Sequence, residues 1–161
     1  MGTVRSGRPR TRRVGLLAVQ GATLIVAALF LAAGIAGFIP GLTSHLDQLR
    51  WQGESSRAQL FGVFDISVVH NLVHLVFGVA GLILARTYAR ARTYLIGGGF
   101  VFLGLWLYSL LSDAPDRALP LNNADNWLHL SVGVVMILLG LTLAGSKVPT
   151  GAEGEILIPP E

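Results

Sequence analysis

Residues 14–38 read VGLLAVQGATLIVAALFLAAGIAGF, a run of 25 residues without a charged side chain. At a rise of about 1.5 Å per residue, a helix of this length extends for about 37 Å, whereas the hydrocarbon core of a bilayer is about 30 Å thick. Pro40 and Gly41 follow the run and are typical of a helix end. The run therefore predicts a first transmembrane helix.

Three further apolar runs, at about 67–85, 93–111 and 122–144, also have the length of membrane spans. Together they predict an all-α fold, a four-helix transmembrane bundle within a domain at 14–145. The composition agrees, because 52% of the 161 residues are hydrophobic, only 13% are charged, and a soluble domain carries about 25% charged residues. The absence of cysteine excludes disulfides, thiolate metal sites and cysteine nucleophiles.

The basic residues predict the orientation of the bundle. The N-terminal arm at 1–13 contains five arginines, the turn at 86–92 contains three, and the tail at 146–161 contains one lysine. The two loops on the opposite side contain only three arginines. The positive-inside rule then predicts a multi-pass membrane protein with both termini in the cytoplasm. The tail at 146–161 is expected to be disordered. Attraction to anionic lipid headgroups explains the pI near 10 better than nucleic-acid binding does, so the expected partner is the bilayer.

A signal peptide is the alternative interpretation of the basic arm and first apolar run. The apolar region of a signal peptide is usually about 7–15 residues long, which is much shorter than this run. The small residues at 32–37 leave cleavage open as an alternative. We expect an uncleaved first helix.

The segment at 41–65 is polar and predicts a short amphipathic helix on the outer surface. Leu42, Leu46 and Leu49 recur at i, i+4 and i+7, and Ser44 and Asp47 have the spacing of a capping box.

Aromatic residues near the ends of the spans are expected to anchor them at the two interfaces. The outer set is Trp106, Tyr108 and Trp127, and the inner set is Tyr88 and Tyr94.

The second and fourth spans share the motif Asn-x-x-His-Leu-x-x-Gly-Val at an offset of 55 residues, beginning at Asn71 and Asn126. Ser67 and Asn122 precede the motif at matching positions and are good N-caps. We therefore predict two parallel helical-hairpin repeats related by a pseudo-two-fold axis along the membrane normal.

The repeated motif also predicts a polar cluster in the interior of the bundle, because polar side chains in hydrocarbon turn away from lipid. Its residues are His70, Asn71, His74, Asp125, Asn126 and His129. If the two caps start the helices, His74 and His129 lie about 10 Å from the outer end. Gly78 and Gly133 lie on the same helix faces and would allow a neighbouring helix to approach closely.

Three interpretations of this cluster remain open. In the first, the side chains are structural and bridge helices by hydrogen bonds. In the second, His74 and His129 bind a metal ion or haem, with His70 or Asp125 as a further ligand. In the third, the two helix N-termini form a small-molecule or anion site.

Catalytic and nucleotide-binding motifs are absent from the sequence, which contains neither HExxH, nor a P-loop, nor GxSxG. Gly97, Gly98 and Gly99 lie within an apolar run, so close helix packing explains them better than a phosphate loop does. The sequence therefore argues against an enzyme, and no cofactor is predicted.

Three segments resemble a known family: GFIPGL at 37–42, VHNLVHLVFGVAG at 69–81 and LNNADNWLHL at 121–130. They are similar to domain-of-unknown-function family 4383, four-helix membrane proteins found mainly in actinobacteria. The chain departs from the family pattern at 64–67, where Phe-Asp-Ile-Ser stands in place of a Pro-x-Asn-like lead. The resemblance implies four spans in the plasma membrane and no particular activity.

The sequence as a whole favours a non-enzymatic membrane module that packs with itself or with another membrane protein. Ala28, Ala32 and Ala36, at i, i+4 and i+8, offer a small-residue face for such packing. The alternatives are a metal or haem site at His74 and His129, and a transporter-like or small-ligand module with a site in the outer leaflet.

Overall fold

Four helices make up most of the computed structural model, which describes residues 17–53, 55–111, 119 and 121–143. The helices are α1 (Ala18–Ala36), α2 (Val68–Leu84), α3 (Tyr88–Leu111) and α4 (Asn123–Thr142). The predicted all-α class is confirmed. Helices α1, α3 and α4 are long and apolar enough to cross a membrane, and α2 is a shorter apolar helix. The predicted arm at 1–13 and tail at 146–161 lie outside the described residues.

The helices pack mainly as two antiparallel pairs, α1 with α2 and α3 with α4, and α1 also contacts α3. Glycines allow the close approach within each pair. A Cβ on Gly78 would lie 2.5 Å from the Leu31 side chain, and one on Gly133 would lie 2.9 Å from the Gly99 carbonyl oxygen. The close approach predicted at Gly78 and Gly133 is therefore confirmed.

Helix α3 begins at Tyr88, five residues before the predicted start of the third span. The reason is Thr87, whose hydroxyl oxygen accepts a hydrogen bond from the N–H of Arg90 at 3.4 Å and so caps the first turn. Arg90 and Arg92 therefore belong to the helix. The Nε of Arg92 donates to the carbonyl oxygen of Gly140 in α4 at 3.2 Å.

The amphipathic helix predicted at 41–65 is wrong. This segment contains three two-residue strands, β1 (Thr43–Ser44), β2 (Gln59–Leu60) and β3 (Phe64–Asp65), which form an antiparallel sheet in that order. Between β1 and β2 only Leu46–Gln48 is helical, as a 3₁₀ turn. His45 has a φ of 51°, a left-handed conformation that an α-helix does not admit, so the leucine pattern does not continue as a helix.

The inner anchor role predicted for Tyr94 is also wrong. Only 6% of its surface is exposed, and it lies in the core with Phe30, Leu95, Phe102 and Met136. Outer residues Tyr108 and Trp127 are exposed, as anchors would be, and their contact with an interface stays a prediction.

Candidate metal centre

The helices that carry the repeated motif begin at the two predicted caps. The Ser67 hydroxyl oxygen accepts a hydrogen bond from the N–H of His70 at 3.2 Å. The Asn122 side-chain oxygen accepts from the N–H of Asp125 at 3.0 Å, and the Asp125 carboxylate accepts from the N–H of Asn122 at 3.0 Å. Both predicted caps are confirmed, and the pair at α4 forms a reciprocal capping box.

The segment between α1 and α2 contacts the N-terminal ends of α2 and α4. The first two N–H groups of α2, on Val68 and Val69, donate to the carbonyl oxygens of Arg50 and Trp51 at 3.0 Å each. At α4, the Oδ2 atom of Asp125 accepts the N–H of Asp65 at 3.1 Å. The Asn122 side chain also donates to the carbonyl oxygen of Val63, at 2.7 Å. The segment that contains the small sheet is thereby fixed to both helices that carry the motif.

Three histidines meet in the interior, and we call His70, His74 and His129 the His centre. Each contributes one ring nitrogen, and these nitrogens all lie within 4.8 Å of one another. The ring centroids of His70 and His74 are 4.6 Å apart, and those of His70 and His129 are 6.1 Å apart. Side chains from α2 and α4 therefore converge on one point.

The Nδ1 atoms of all three histidines are buried, and among the described residues none of them has a hydrogen-bond partner. Only 4% of His70 and 3% of His129 is exposed. A buried polar atom without a partner costs about 1–3 kcal/mol, so three of them at one place are unfavourable unless a ligand satisfies them.

Two phenylalanines border the His centre. Phe30 of α1 lies 5.6 Å from His74, and Phe102 of α3 lies 5.5 Å from His129, measured between ring centroids. The two phenyl rings stack on each other with centroids 5.1 Å apart and planes inclined by 13°. The histidines are therefore bounded on one side by packed aromatic rings.

The asparagines of the predicted cluster do not join the His centre. Asn71 is fully buried against the end of α1, where a Cβ on Gly37 would overlap its amide group. No partner among the described residues bonds to the amide of Asn71 or to the buried Oδ1 of Asn126. The predicted polar cluster is thus divided. The three histidines come together, Asp125 binds the outer sheet, and Asn71 lies between α1 and α2.

Three imidazoles at this separation form a donor set for a first-row transition metal. Neutral imidazole suits Zn²⁺, Cu²⁺ and Ni²⁺, and zinc sites commonly use three histidines. The sequence singled out His74 and His129, with His70 or Asp125 as a further ligand, and the structure groups His70 with them. Sequence reasoning missed Phe30 and Phe102, because aromatic residues in an apolar helix do not indicate which residue they face.

Comparisons with known proteins agree with the resemblance seen in the sequence. Neither the curated proteins nor the solved structures contain a match to the chain. The family profile described as Domain of unknown function (DUF4383) matches residues 20–142, which is more than half of the chain. The actinobacterial origin that the resemblance implies stays a prediction. The chain belongs to the DUF4383 family.

Proposed function

We propose that the protein is a multi-pass plasma-membrane protein that binds one Zn²⁺ ion at the His centre. The observation that carries the proposal is the convergence of three histidines, each with one ring nitrogen within 4.8 Å of the others. In a tetrahedral zinc site with Zn–N distances of about 2.0–2.1 Å, the nitrogens are about 3.4 Å apart. Small rotations of the three side chains would therefore close the present arrangement around an ion.

Zinc fits the surroundings better than the other ligands considered for this cluster. The rings of Phe30, Phe77 and Phe102 pack on one another at centroid distances of 5.1–5.6 Å and fill the space that a haem macrocycle would need. An anion at the start of α4 would meet the Asp125 carboxylate, which already accepts the N–H groups there. A single Zn²⁺ ion does not need the space of a haem, and its positive charge is not repelled by the Asp125 carboxylate.

The membrane topology is part of the proposal. Three apolar helices support an embedded protein, and the 17 residues of α2 extend for about 25 Å. A helix of this length can cross the hydrocarbon core if its outer end lies below the level of the lipid headgroups. The carbonyl oxygens of Arg50 and Trp51, which cover the first turn of α2, support that depth. With the basic residues facing the cytoplasm, the His centre lies in the outer half of the membrane.

A further membrane partner is also proposed, either a second copy of the chain or another membrane protein. Ala28 and Ala32 are exposed on α1, whereas Ala36 is buried. Small side chains on the outside of a span permit close contact between helices, which supports association through this part of α1.

Metal analysis of the full chain, purified in lipid nanodiscs and loaded with Zn²⁺, tests the proposed function. We expect about one zinc per chain, and loss of that zinc when His74→Ala and His129→Ala are combined. His45→Ala is the matched control, because His45 is exposed and lies on the outer segment. If the wild type retains no zinc after dialysis, the proposal is wrong and the histidines are structural.

A further inference from the structure

Three exposed arginines lie where α2 ends and α3 begins. Arg86 is in the turn between the two helices, and Arg90 and Arg92 are in the first two turns of α3. The Nε of Arg92 donates to the carbonyl oxygen of Gly140 in α4. Arg86 and Arg90, four positions apart, add two further positive charges at the same end of the bundle.

Acidic residues of the described part of the chain all lie at the opposite end of the bundle. They are Asp47 and Asp65, in the segment between α1 and α2, and Asp125, in the first turn of α4. Because the helices of each pair are antiparallel, that segment and the start of α4 are one helix length away from the turn between α2 and α3. The anion that best complements this turn is therefore one that the membrane supplies.

Gly97 lies on the same face of α3 as Arg90, because seven residues make about two helical turns. It is exposed, and nothing lies within 4 Å of a Cβ built on it. Phe100 and Val101, one turn further along this surface, are 62% and 48% exposed. The helix surface at Gly97 is thus recessed beside larger apolar side chains, and we call this recess the Gly97 notch.

We infer that Arg86 and Arg90 bind the phosphate group of an anionic phospholipid, one acyl chain of which lies in the Gly97 notch. A guanidinium group can donate two parallel N–H groups to a phosphate, so it suits such a headgroup. Each leaflet contributes about 15 Å of a hydrocarbon core about 30 Å thick. Gly97 is about 10 Å along the helix from Arg90, within reach of the acyl chain of a lipid held by the arginines. This lipid site is separate from the His centre and does not require zinc.

A second copy of the chain fits this face less well than a lipid does. In a symmetric contact between two parallel copies, the same surface patch faces itself. Contact through the Gly97 notch would then bring the Arg90 side chains of both copies together, and like charges oppose association. An anionic lipid brings the opposite charge. In the proposed orientation this turn also faces the cytoplasmic leaflet, which carries the anionic lipids.

Titration of the purified full chain with phosphatidylglycerol, followed by native mass spectrometry, tests the charge requirement. We expect one tightly bound lipid per chain, and weaker binding of phosphatidylcholine with the same acyl chains. Combining Arg86→Gln with Arg90→Gln should lower the affinity for phosphatidylglycerol about 30-fold, since each basic residue near an anionic surface contributes about 1 kcal/mol, or about fivefold. The backbone N–H of Arg90 that bonds to Thr87 remains, so the start of α3 should be retained.

The matched control for charge combines Arg50→Gln with Arg57→Gln. It removes two exposed arginines from the segment between α1 and α2 and should leave the affinity unchanged. Equal affinity of the wild type for the two lipids, or full affinity for phosphatidylglycerol in the variant that lacks Arg86 and Arg90, would overturn the inference.

The variant Gly97→Leu tests the notch, because leucine would occupy the space assigned to the acyl chain. It should weaken phosphatidylglycerol binding several-fold. Gly104→Leu is the control, since Gly104 has the same open space but lies about 21 Å along the helix from Arg90, beyond the reach of one leaflet. If Gly97→Leu weakens binding no more than Gly104→Leu does, the arginines attract headgroups without a lipid site. If Gly97→Leu instead dissociates a wild-type dimer, the notch contacts a second copy and the inference is wrong.

Discussion

Tyr94 of α3 donates its hydroxyl hydrogen to the backbone carbonyl oxygen of Phe77 in α2, at 3.1 Å. Gly81 makes this bond possible, because a Cβ at Gly81 would lie 2.9 Å from the Tyr94 hydroxyl oxygen. The Tyr94 hydroxyl therefore reaches the Phe77 carbonyl through the space that a side chain at Gly81, one turn further along α2, would fill. The bond joins the two helical hairpins between the first turns of α3 and the C-terminal half of α2.

Removing this hydroxyl should weaken the contact between the hairpins. We expect Tyr94→Phe to lower the free energy of unfolding by about 1 kcal/mol, as for other hydrogen bonds between membrane helices. Denaturation in mixed micelles measures it. Tyr108→Phe, at an exposed position, should have no effect, and equal losses from the two variants would contradict this account.

Gly133 is expected to tolerate no side chain. A Cβ there would lie 2.9 Å from both the Gly99 carbonyl oxygen and the Leu103 side chain, so α4 would have to move away from α3. Gly133→Ala should therefore cost about 1–3 kcal/mol of stability, as overpacking does. The same measurement on Gly97→Ala provides the control. Nothing lies within 4 Å of a Cβ at Gly97, and alanine there should be neutral or stabilising.

Cysteine cross-linking tests the geometry of the His centre without any metal. The chain has no cysteine, so paired substitutions start from a clean background. A short thiol cross-linker should join His74→Cys and His129→Cys within one chain. The control pair, Val76→Cys with Val134→Cys, lies on exposed faces and should remain unlinked. Cross-linking of the control pair but not of the His pair would contradict both the His centre and the pseudo-two-fold arrangement.

Reporter fusions test the proposed orientation. Fusions after Arg86 and after Lys147 should report the cytoplasm, because basic residues are retained on that side. Fusions at Gly53 and Ala118 should report the outside. The intact mass of the extracted protein checks the first helix, which should remain attached. An outside signal after Arg86 would reverse the orientation and place the His centre in the inner leaflet.

The helices that carry the His centre were predictable because their starts depend on local chemistry. Ser67 and Asn122 cap the turn that follows them, and this effect needs no tertiary context. The start of α3 was missed for a related reason. The arginines at 86–92 were interpreted as a polar turn, although Thr87 can cap a helix that includes two of them.

The other features of the fold and the site depend on tertiary contacts that a single sequence does not show. The outer segment forms a sheet because Gly41 and Gly62 adopt positive φ at its turns, and His45 prevents a continuous helix. The sequence predicted that Tyr94 lies at the membrane interface. Tyr94 is instead a buried hydrogen-bond donor, because its hydroxyl occupies the space beside Gly81. The sequence predicted a common depth for His74 and His129, whereas their convergence with His70 is a property of the packed bundle.

The stacked rings of Phe30 and Phe102 would limit the directions in which an ion could leave the proposed zinc site. They pack beside His74 and His129, and Phe77 packs against both of them. An ion that moved past these rings would have to separate three packed aromatic side chains. If the proposed site and orientation hold, zinc would therefore enter and leave on the side of the histidines away from the rings, and occupancy would follow the metal supply outside the cell.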